Sequence, residues 1–213
     1  MTLPAMVALL ESRVGMISAH LDEGMALALA QAEERVGDLV RDGSLHLRPL
    51  TVRALLRRHL EGVELRSWRL GGDPRLMGQL LLDDVESGLG MRVLKERRHT
   101  YPGGVPVAGK NRSRQAHWTQ PPLFGPDASP DPEQIEVLLL WDLKDPERVD
   151  EGYTLRLVHT LEPGRYGRPV ACDLSINIKT GGSLFSTLRF QGDDEPQDFF
   201  EVHIDEADEQ QRS

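Results

Sequence analysis

The sequence predicts an α+β protein in which N-terminal helices precede a mainly antiparallel β-sheet. Apolar residues recur at helical spacing in the first part, apolar and polar residues alternate in the second, and no helical pattern separates the later strands. We therefore divide the chain into a helical region (1–62), an α+β domain (63–205) and an acidic tail (206–213).

The helical region predicts three amphipathic helices. One stripe of apolar residues at spacings of three and four covers 4–21, and a second helix covers 22–41, where an Asp-Gly pair supplies a stop. A third helix covers 51–61, because Thr51 is typical of an N-cap and Gly62 is typical of the position after a helix.

The pattern changes after the helices. A strand is predicted over 64–70, then a helix over 74–87, because Asp73-Pro74 is typical of an N-cap followed by proline at the first helical position. A strand over 90–96 follows. Residues 120–134 hold five prolines, which predicts a linker or an exposed excursion.

The second half predicts further strands with no helix between them. Residues 135–143 contain the apolar run VLLLW, typical of a strand that is covered on both faces. Residues 153–161 and 170–178 alternate apolar with polar positions and form a hairpin with a long loop. Two more strands, Leu184–Phe190 and Phe199–Ile204, complete an antiparallel meander.

Charge is distributed unevenly along the chain, whose net charge is −9. Residues 1–118 hold 17 Lys and Arg against 14 Asp and Glu, whereas residues 119–213 hold 8 against 20. The asymmetry indicates an anionic partner for the first part, or attraction between the two parts. Of the 25 cations 21 are Arg; a GC-rich genome would explain that bias, but not the clustering described next.

Residues 92–118, the basic segment, contain seven cations and one acid, Glu96. Cations bind phosphates and ring faces stack on bases, so this mixture of arginines and aromatic rings is typical of single-stranded or backbone-directed contacts with nucleic acid. We therefore predict a regulatory or mobile-element protein that binds DNA or RNA through Arg97, Arg98, Lys110, Arg112, Arg114, His117 and Trp118.

Two alternatives stay open. In the first, the basic segment is a solvated loop or braces the acidic half of the same chain, and the protein is an acidic interaction module, such as an immunity or adaptor protein. In the second, the protein is a Mg²⁺-dependent nuclease of the PD-(D/E)xK type. The candidate residues for that reaction are Asp83, Asp84, Glu136, Asp142 and Lys144.

Other site chemistry is not indicated. The series from Gly104 to Lys110 matches G-x-x-x-x-G-K, but Asn111 replaces the Ser or Thr of a phosphate-binding loop, and the preceding residues are too polar for a central strand. The seven histidines show no H-x-x-x-H pair, and His159 and the single Cys172 fall at core positions of strands. We predict no catalytic residue, no cofactor and no metal site.

No targeting or membrane segment is predicted. The N-terminal segment lacks a basic region, and Glu11 and Arg13 break its apolar run, which excludes a signal peptide pattern. No apolar stretch approaches the roughly 20 residues that span a bilayer. We expect a cytoplasmic protein without a membrane partner.

Three series carry a resemblance to other proteins: VPVAGKNRSRQAHWTQPPLF (105–124), EVLLLWD (136–142) and YTLRLV (153–158). With these series the chain resembles uncharacterised proteins of actinobacterial phages and mobile elements, over roughly residues 90–180 and without the helical front. The resemblance transfers no catalytic residue. It implies a role in phage, plasmid or defence biology.

Overall fold

The computed structural model describes residues 3–123 and 135–185. The predicted strand over Phe199–Ile204, the acidic tail and most of the proline-rich 120–134 lie outside these ranges. Within them the elements are α1 (Leu3–Gly15), α2 (Ser18–Arg41), α3 (Leu47–Glu61), β1 (Trp68–Gly71), β2 (Leu81–Asp84), β3 (Gly90–Lys95), α4 (Arg112–Trp118), β4 (Glu136–Asp145), β5 (Arg148–Thr160), β6 (Cys172–Ile178) and β7 (Leu184–Phe185).

The described strands form one sheet in chain order, β1 to β7. All neighbouring pairs are antiparallel except β3 and β4, which are parallel and pair Gly90 with Glu136 and Lys95 with Trp141. The predicted class, helices followed by a mainly antiparallel sheet, is confirmed. The parallel pair was not predicted, and it makes the basic segment part of a crossover between two adjacent strands.

The boundary between the first two helices lies earlier in the chain than the periodicity predicts. Tight i to i−3 hydrogen bonds at Met16 (to Arg13, 3.3 Å) and Ile17 (to Val14, 3.0 Å) interrupt the helix, and Ser18 begins α2. The buried stripe continues through Ile17 to Leu21, so the spacing of apolar residues carries no sign of the interruption. Helix α3 likewise begins at Leu47 rather than Thr51, because proline is tolerated in a first turn.

The helix predicted over 74–87 is wrong. Asp73 does accept a hydrogen bond from the Arg75 N–H (2.9 Å), as in a helix start, but the chain leaves helical geometry at Met77 and Gly78, which have φ of 57° and 65°. The following residues form β2, which pairs with β1 on one side and β3 on the other. Two strand partners satisfy more backbone groups here than a short isolated helix would.

The sheet is covered on both faces. Helices α1–α3 pack on one face and share a large apolar core with it. The basic segment packs on the opposite face and forms a second, smaller core with β4, β5 and the β5–β6 loop, built from Val105, Ala108, Trp118, Leu138, Leu140, Val158 and Val170. Strand β4 is therefore buried on both sides, as its VLLLW run predicts.

A polar contact fixes α2 on the sheet. Buried Asp22 accepts hydrogen bonds from the Tyr153 hydroxyl (2.6 Å) and from the Gly181 N–H (2.7 Å). Burial and the neighbouring carboxylate raise the pKa of Tyr153, which keeps this phenol protonated. In the described ranges no helix combines the length and apolar composition that a membrane span requires.

Candidate anion-binding cleft

The basic segment leaves β3 at Glu96, turns through 97–104 and ends in the short helix α4. The helix was not predicted, since seven residues are too few to show a period. Asn111 caps it by accepting a hydrogen bond from the Arg114 N–H (3.1 Å). Its last residue, Trp118, is fully buried, and the indole N–H donates to the Pro106 carbonyl (2.8 Å).

Two predicted binding residues of α4 face the protein interior. The Trp118 ring belongs to the smaller core, so its face does not reach a base; the guanidinium groups of Arg114 and Arg92 lie 5.1 and 5.9 Å from its centroid instead. His117 Nδ1 lies 3.1 Å from Glu136 Oε2. Burial lowers the pKa of His117 to about 4, with Arg92 contributing, so this imidazole carries no positive charge for a phosphate at neutral pH.

Some cations of the basic segment form ion pairs with carboxylates of the same chain. The fully buried carboxylate of Glu96 binds Arg98 Nε (2.7 Å) and Arg156 Nε (2.5 Å), and Lys95 Nζ binds Asp142. Hydrogen bonding to Glu96 raises the pKa of Arg98. These five residues form the braced cluster. Arg98, which the sequence places in the binding site, is thus held in an internal ion-pair network.

Gly104 is part of this brace rather than of a phosphate-binding loop. It has φ +79°, and a Cβ atom there would lie 2.6 Å from Glu96 Oε2. Its carbonyl accepts a hydrogen bond from the Arg97 N–H (2.8 Å), which closes the turn. The glycine lets the chain pass close to the buried carboxylate, because no side chain occupies that space.

Three arginines differ from the braced cluster: Arg53 on α3, Arg92 on β3 and Arg114 on α4, together the unpaired trio. Each is half-buried, yet none forms an ion pair with a carboxylate in the ranges 3–123 and 135–185. Arg53 donates to the carbonyls of Met77 (2.7 Å) and Gly78 (3.1 Å), whereas Arg114 Nε is buried with no hydrogen-bond partner.

The unpaired trio is electrostatically unfavourable in the absence of an anion. Burial, together with the positive charges of Arg114 and Arg53, lowers the pKa of Arg92 to about 10. Burial also lowers the pKa of Arg114 and of Arg53, and neighbouring arginines add to both shifts. All three nevertheless stay charged at neutral pH. A bound anion would relieve this repulsion, and perturbed groups of this kind are typical of functional sites.

The trio lines an open cleft of about 800 Å³ between the start of α3, the turn at 76–79 and the basic segment. Arg97 and the braced cations Lys95 and Arg98 line it as well, so the walls are strongly cationic. Part of the rim is apolar and exposed, with Leu45, Leu76 and Met77. The cleft therefore presents charge at depth and apolar surface at its mouth.

The remaining predicted cations lie outside the braced cluster. Arg97, Lys110 and Arg112 are exposed, and no ion pair is formed by their side chains within the part of the chain that the structure describes. Arg97 lines the cleft, whereas Lys110 and Arg112 lie beside it, at the start of α4. Neither Arg53 nor Arg92 was among the predicted binding residues, and the two lie 39 positions apart in the sequence.

The acids proposed for a nuclease site are divided among different places. Asp83 and Glu136 share a row across β2, β3 and β4, since both pair with Gly90. Asp84 is buried beside Arg13 and Ser87. Asp142 lies six residues further along β4 than Glu136, about 20 Å away, and binds Lys95. The set does not converge on one metal position.

Glu136 adds a titratable carboxyl beside the trio. Burial, together with the charge of Asp83 and against that of Arg92, raises the pKa of Glu136 to about 7. Because the pKa of His117 is lower, this imidazole is already neutral in the pH range where Glu136 loses its proton. The charge next to Arg92 thus depends on pH near neutrality.

Of the two residues predicted to lie in the core, His159 is buried and Cys172 is only partly buried. His159 is buried, and its Nδ1 lies 2.6 Å from Asp173 Oδ1, which confirms a hydrogen-bonded core imidazole. Cys172 packs against the smaller core, and burial raises the pKa of its thiol to about 12. A thiol so strongly protonated is a poor nucleophile.

Comparison with known proteins finds no family model, no curated protein and no solved structure that matches this chain. Its function is therefore inferred from the chemistry of the cleft.

Proposed function

We propose that this protein binds single-stranded nucleic acid in the cleft, with Arg53, Arg92 and Arg114 in contact with phosphate. One observation carries the proposal: three half-buried guanidinium groups face the same cleft without a carboxylate partner. Buried charges are ordinarily paired, because desolvation of an isolated charge is costly. A phosphate supplies the missing partner.

Arginine suits this ligand because its planar fork donates two parallel hydrogen bonds to phosphate oxygens. Exposed Arg97, Lys110 and Arg112 extend the positive surface beyond the cleft and would attract a polyanion from a distance. Such a surface favours a chain of phosphates over an isolated anion.

A single strand fits the cleft better than a duplex does. The trio is half-buried in a cleft of about 800 Å³, which is too small to hold a duplex. The phosphates of a duplex would therefore not reach Arg92 without rearrangement. A single strand enters such a cleft and exposes base faces, which pack on apolar surface such as Leu76 and Met77 at the rim. We place this binding in a regulatory or mobile-element context, as the resemblance to phage proteins implies.

Fluorescence anisotropy with labelled single-stranded DNA and RNA tests the proposal. We expect saturable binding at low salt that weakens as salt rises, with the log–log slope falling by about 0.7 for each phosphate contact removed. Duplex DNA, a mononucleotide and inorganic phosphate serve as competitors and should compete poorly. No binding of either single strand at low salt would contradict the proposal.

The braced cluster favours a second candidate, an acidic protein-interaction module in which the basic segment serves only to hold the fold together. This candidate requires the basic segment to be held against the acidic half of the chain, as it is where Lys95 pairs with Asp142 and where Arg98 Nε lies 3.9 Å from Asp142 Oδ2. A single protein partner recovered by pull-down after nuclease treatment, together with absence of nucleic-acid binding, would favour it. A Mg²⁺-dependent nuclease is tested by a digestion assay with and without EDTA.

A further inference from the structure

Three potential metal ligands meet on the helical side of the protein, in residues that the cleft does not use. His20 and Glu23 lie three residues apart on one face of α2, and His59 lies opposite them in the last turn of α3. One ligand atom from each residue can be chosen so that all three lie within 4.8 Å of one another. The spacing is compatible with a single ion bound by all three.

A second observation points to a ligand at the same place. His59 Nε2 is buried and has no hydrogen-bond partner, and a buried nitrogen of this kind is ordinarily satisfied. The ring is held there by close packing. A Cβ atom on Gly24 of α2 would lie 2.5 Å from His59 Cδ2 and 2.9 Å from the side chain of Leu56. Glycine is unfavourable inside a helix, but here it makes room for the imidazole.

The ligand types select the class of ion. Two imidazoles and a carboxylate suit zinc and neighbouring divalent transition metals, whereas Mg²⁺ and Ca²⁺ prefer oxygen ligands alone. Three protein ligands leave at least one position for water. Because Glu23 is exposed while both histidines are half-buried, that position lies toward solvent.

We propose that His20, Glu23 and His59 form a binding site for a divalent transition-metal ion of the zinc type, which joins α2 to α3. Arg53 lies on α3 six residues before His59, so the site is separate from the arginine cleft and does not depend on the proposed function. Because the ion would bind the folded protein and not the unfolded chain, it would also raise the melting temperature.

Calorimetric titration of the tag-free protein with Zn²⁺ tests the proposal, with Co²⁺ absorption spectra as a second readout. We expect one ion per chain and a higher melting temperature. Glu23→Gln and His59→Asn should each reduce affinity at least about 100-fold, because loss of a hydrogen-bond partner behind a ligand already costs about 10- to 100-fold. Gly24→Ala, which removes no ligand, should also weaken binding by displacing the His59 ring.

Glu34→Gln is the matched control, because Glu34 is an exposed acid on the same helix and makes the same change in charge. It should bind Zn²⁺ as the wild type does. Absence of stoichiometric Zn²⁺ and Co²⁺ binding, equal loss in the control, or unchanged affinity in Glu23→Gln would overturn the proposal. Glu23 is exposed, so this variant is expected to fold even where His59→Asn does not.

Discussion

The braced cluster and the unpaired trio use the same kinds of side chain and line the same cleft, but their surroundings differ. Glu96 and Asp142 neutralise the cations of the first, whereas no carboxylate in the described ranges pairs with Arg53, Arg92 or Arg114. A cluster of positive charges in a sequence can therefore contain two kinds of cation, paired and unpaired. We expect the paired cations to stabilise the fold, and we propose that the unpaired ones bind a ligand.

The two clusters also differ in what they do to stability. A buried ion pair is costly to break, because one partner is left uncompensated, while repulsion within the trio opposes folding. Substitutions in the two clusters should therefore change the free energy of unfolding in opposite directions.

The largest effect is expected in the braced cluster. Arg156→Met leaves the buried Glu96 carboxylate with Arg98 alone and removes the hydrogen bond to the Gly103 carbonyl. We expect the free energy of unfolding to fall by about 3 kcal/mol, measured by urea denaturation. The exposed Arg58 provides a control, since Arg58→Met should change it by less than about 0.5 kcal/mol. If Arg156→Met also changes the free energy of unfolding by less than about 0.5 kcal/mol, the braced cluster does not stabilise the fold.

The unpaired trio should respond in the opposite direction. Arg92→Met removes a half-buried charge next to Arg114 and Arg53 and keeps an apolar side chain against Trp118. We expect the free energy of unfolding to stay equal or rise by about 1 kcal/mol, in the same urea assay. A loss of about 3 kcal/mol would place Arg92 with the braced cluster.

Binding should depend on pH through Glu136. Its pKa is raised to about 7, so the carboxyl is neutral below that value and ionised above it, where it competes with phosphate for Arg92. Affinity for single-stranded DNA should increase a few-fold as pH falls from about 8 to about 6. Glu136→Gln, which is neutral throughout, should lose this dependence. His117 stays neutral in this window and does not contribute.

The raised pKa of Glu136 also predicts how the free energy of unfolding changes with pH. Because the folded pKa of Glu136 lies above its ordinary value of 4.5, the folded protein holds the extra proton between pH about 4.5 and about 7. The free energy of unfolding of the wild type, relative to Glu136→Gln, should therefore fall as pH rises through that range. A rise would contradict the assignment.

The smallest effect is expected outside the cleft. Lys110→Gln and Arg112→Gln each remove one exposed charge, so binding should weaken by less than about threefold at moderate salt, and the salt slope should fall by at most about 0.7. Anisotropy at several salt concentrations measures both quantities. If either variant loses more affinity than Arg114→Gln does, the binding site lies at the start of α4 and not in the cleft.

The strands were predictable where side-chain alternation is local, as in β5 and β6, and where a continuous apolar run indicates burial on both faces, as in β4. The helix predicted over 74–87 failed because strand pairing, a non-local interaction, decides that segment. Helix α4 is too short to produce a period. Local patterns therefore predict the class of the fold and leave these two segments undetermined.

The site was only partly predictable, because pairing depends on residues that are far apart in sequence. Glu96 is braced by Arg156, sixty residues away, and Arg53 of helix α3 joins Arg92 of strand β3. The sequence therefore indicates the basic segment but does not separate Arg98, which is paired, from Arg114, which is not. His20, Glu23 and His59 were missed for the same reason, since no local spacing connects the two helices.

The most direct measurement compares the affinity of two double variants for single-stranded DNA at low salt. Arg92→Gln with Arg114→Gln removes two members of the trio, whereas Arg58→Gln with Arg148→Gln removes two arginines that do not line the cleft, with the same change in net charge. We predict a loss of roughly 100-fold in the first and less than about threefold in the second, since each charged hydrogen bond contributes about 1.5–3 kcal/mol. Equal losses in the two variants would contradict a binding site in the cleft.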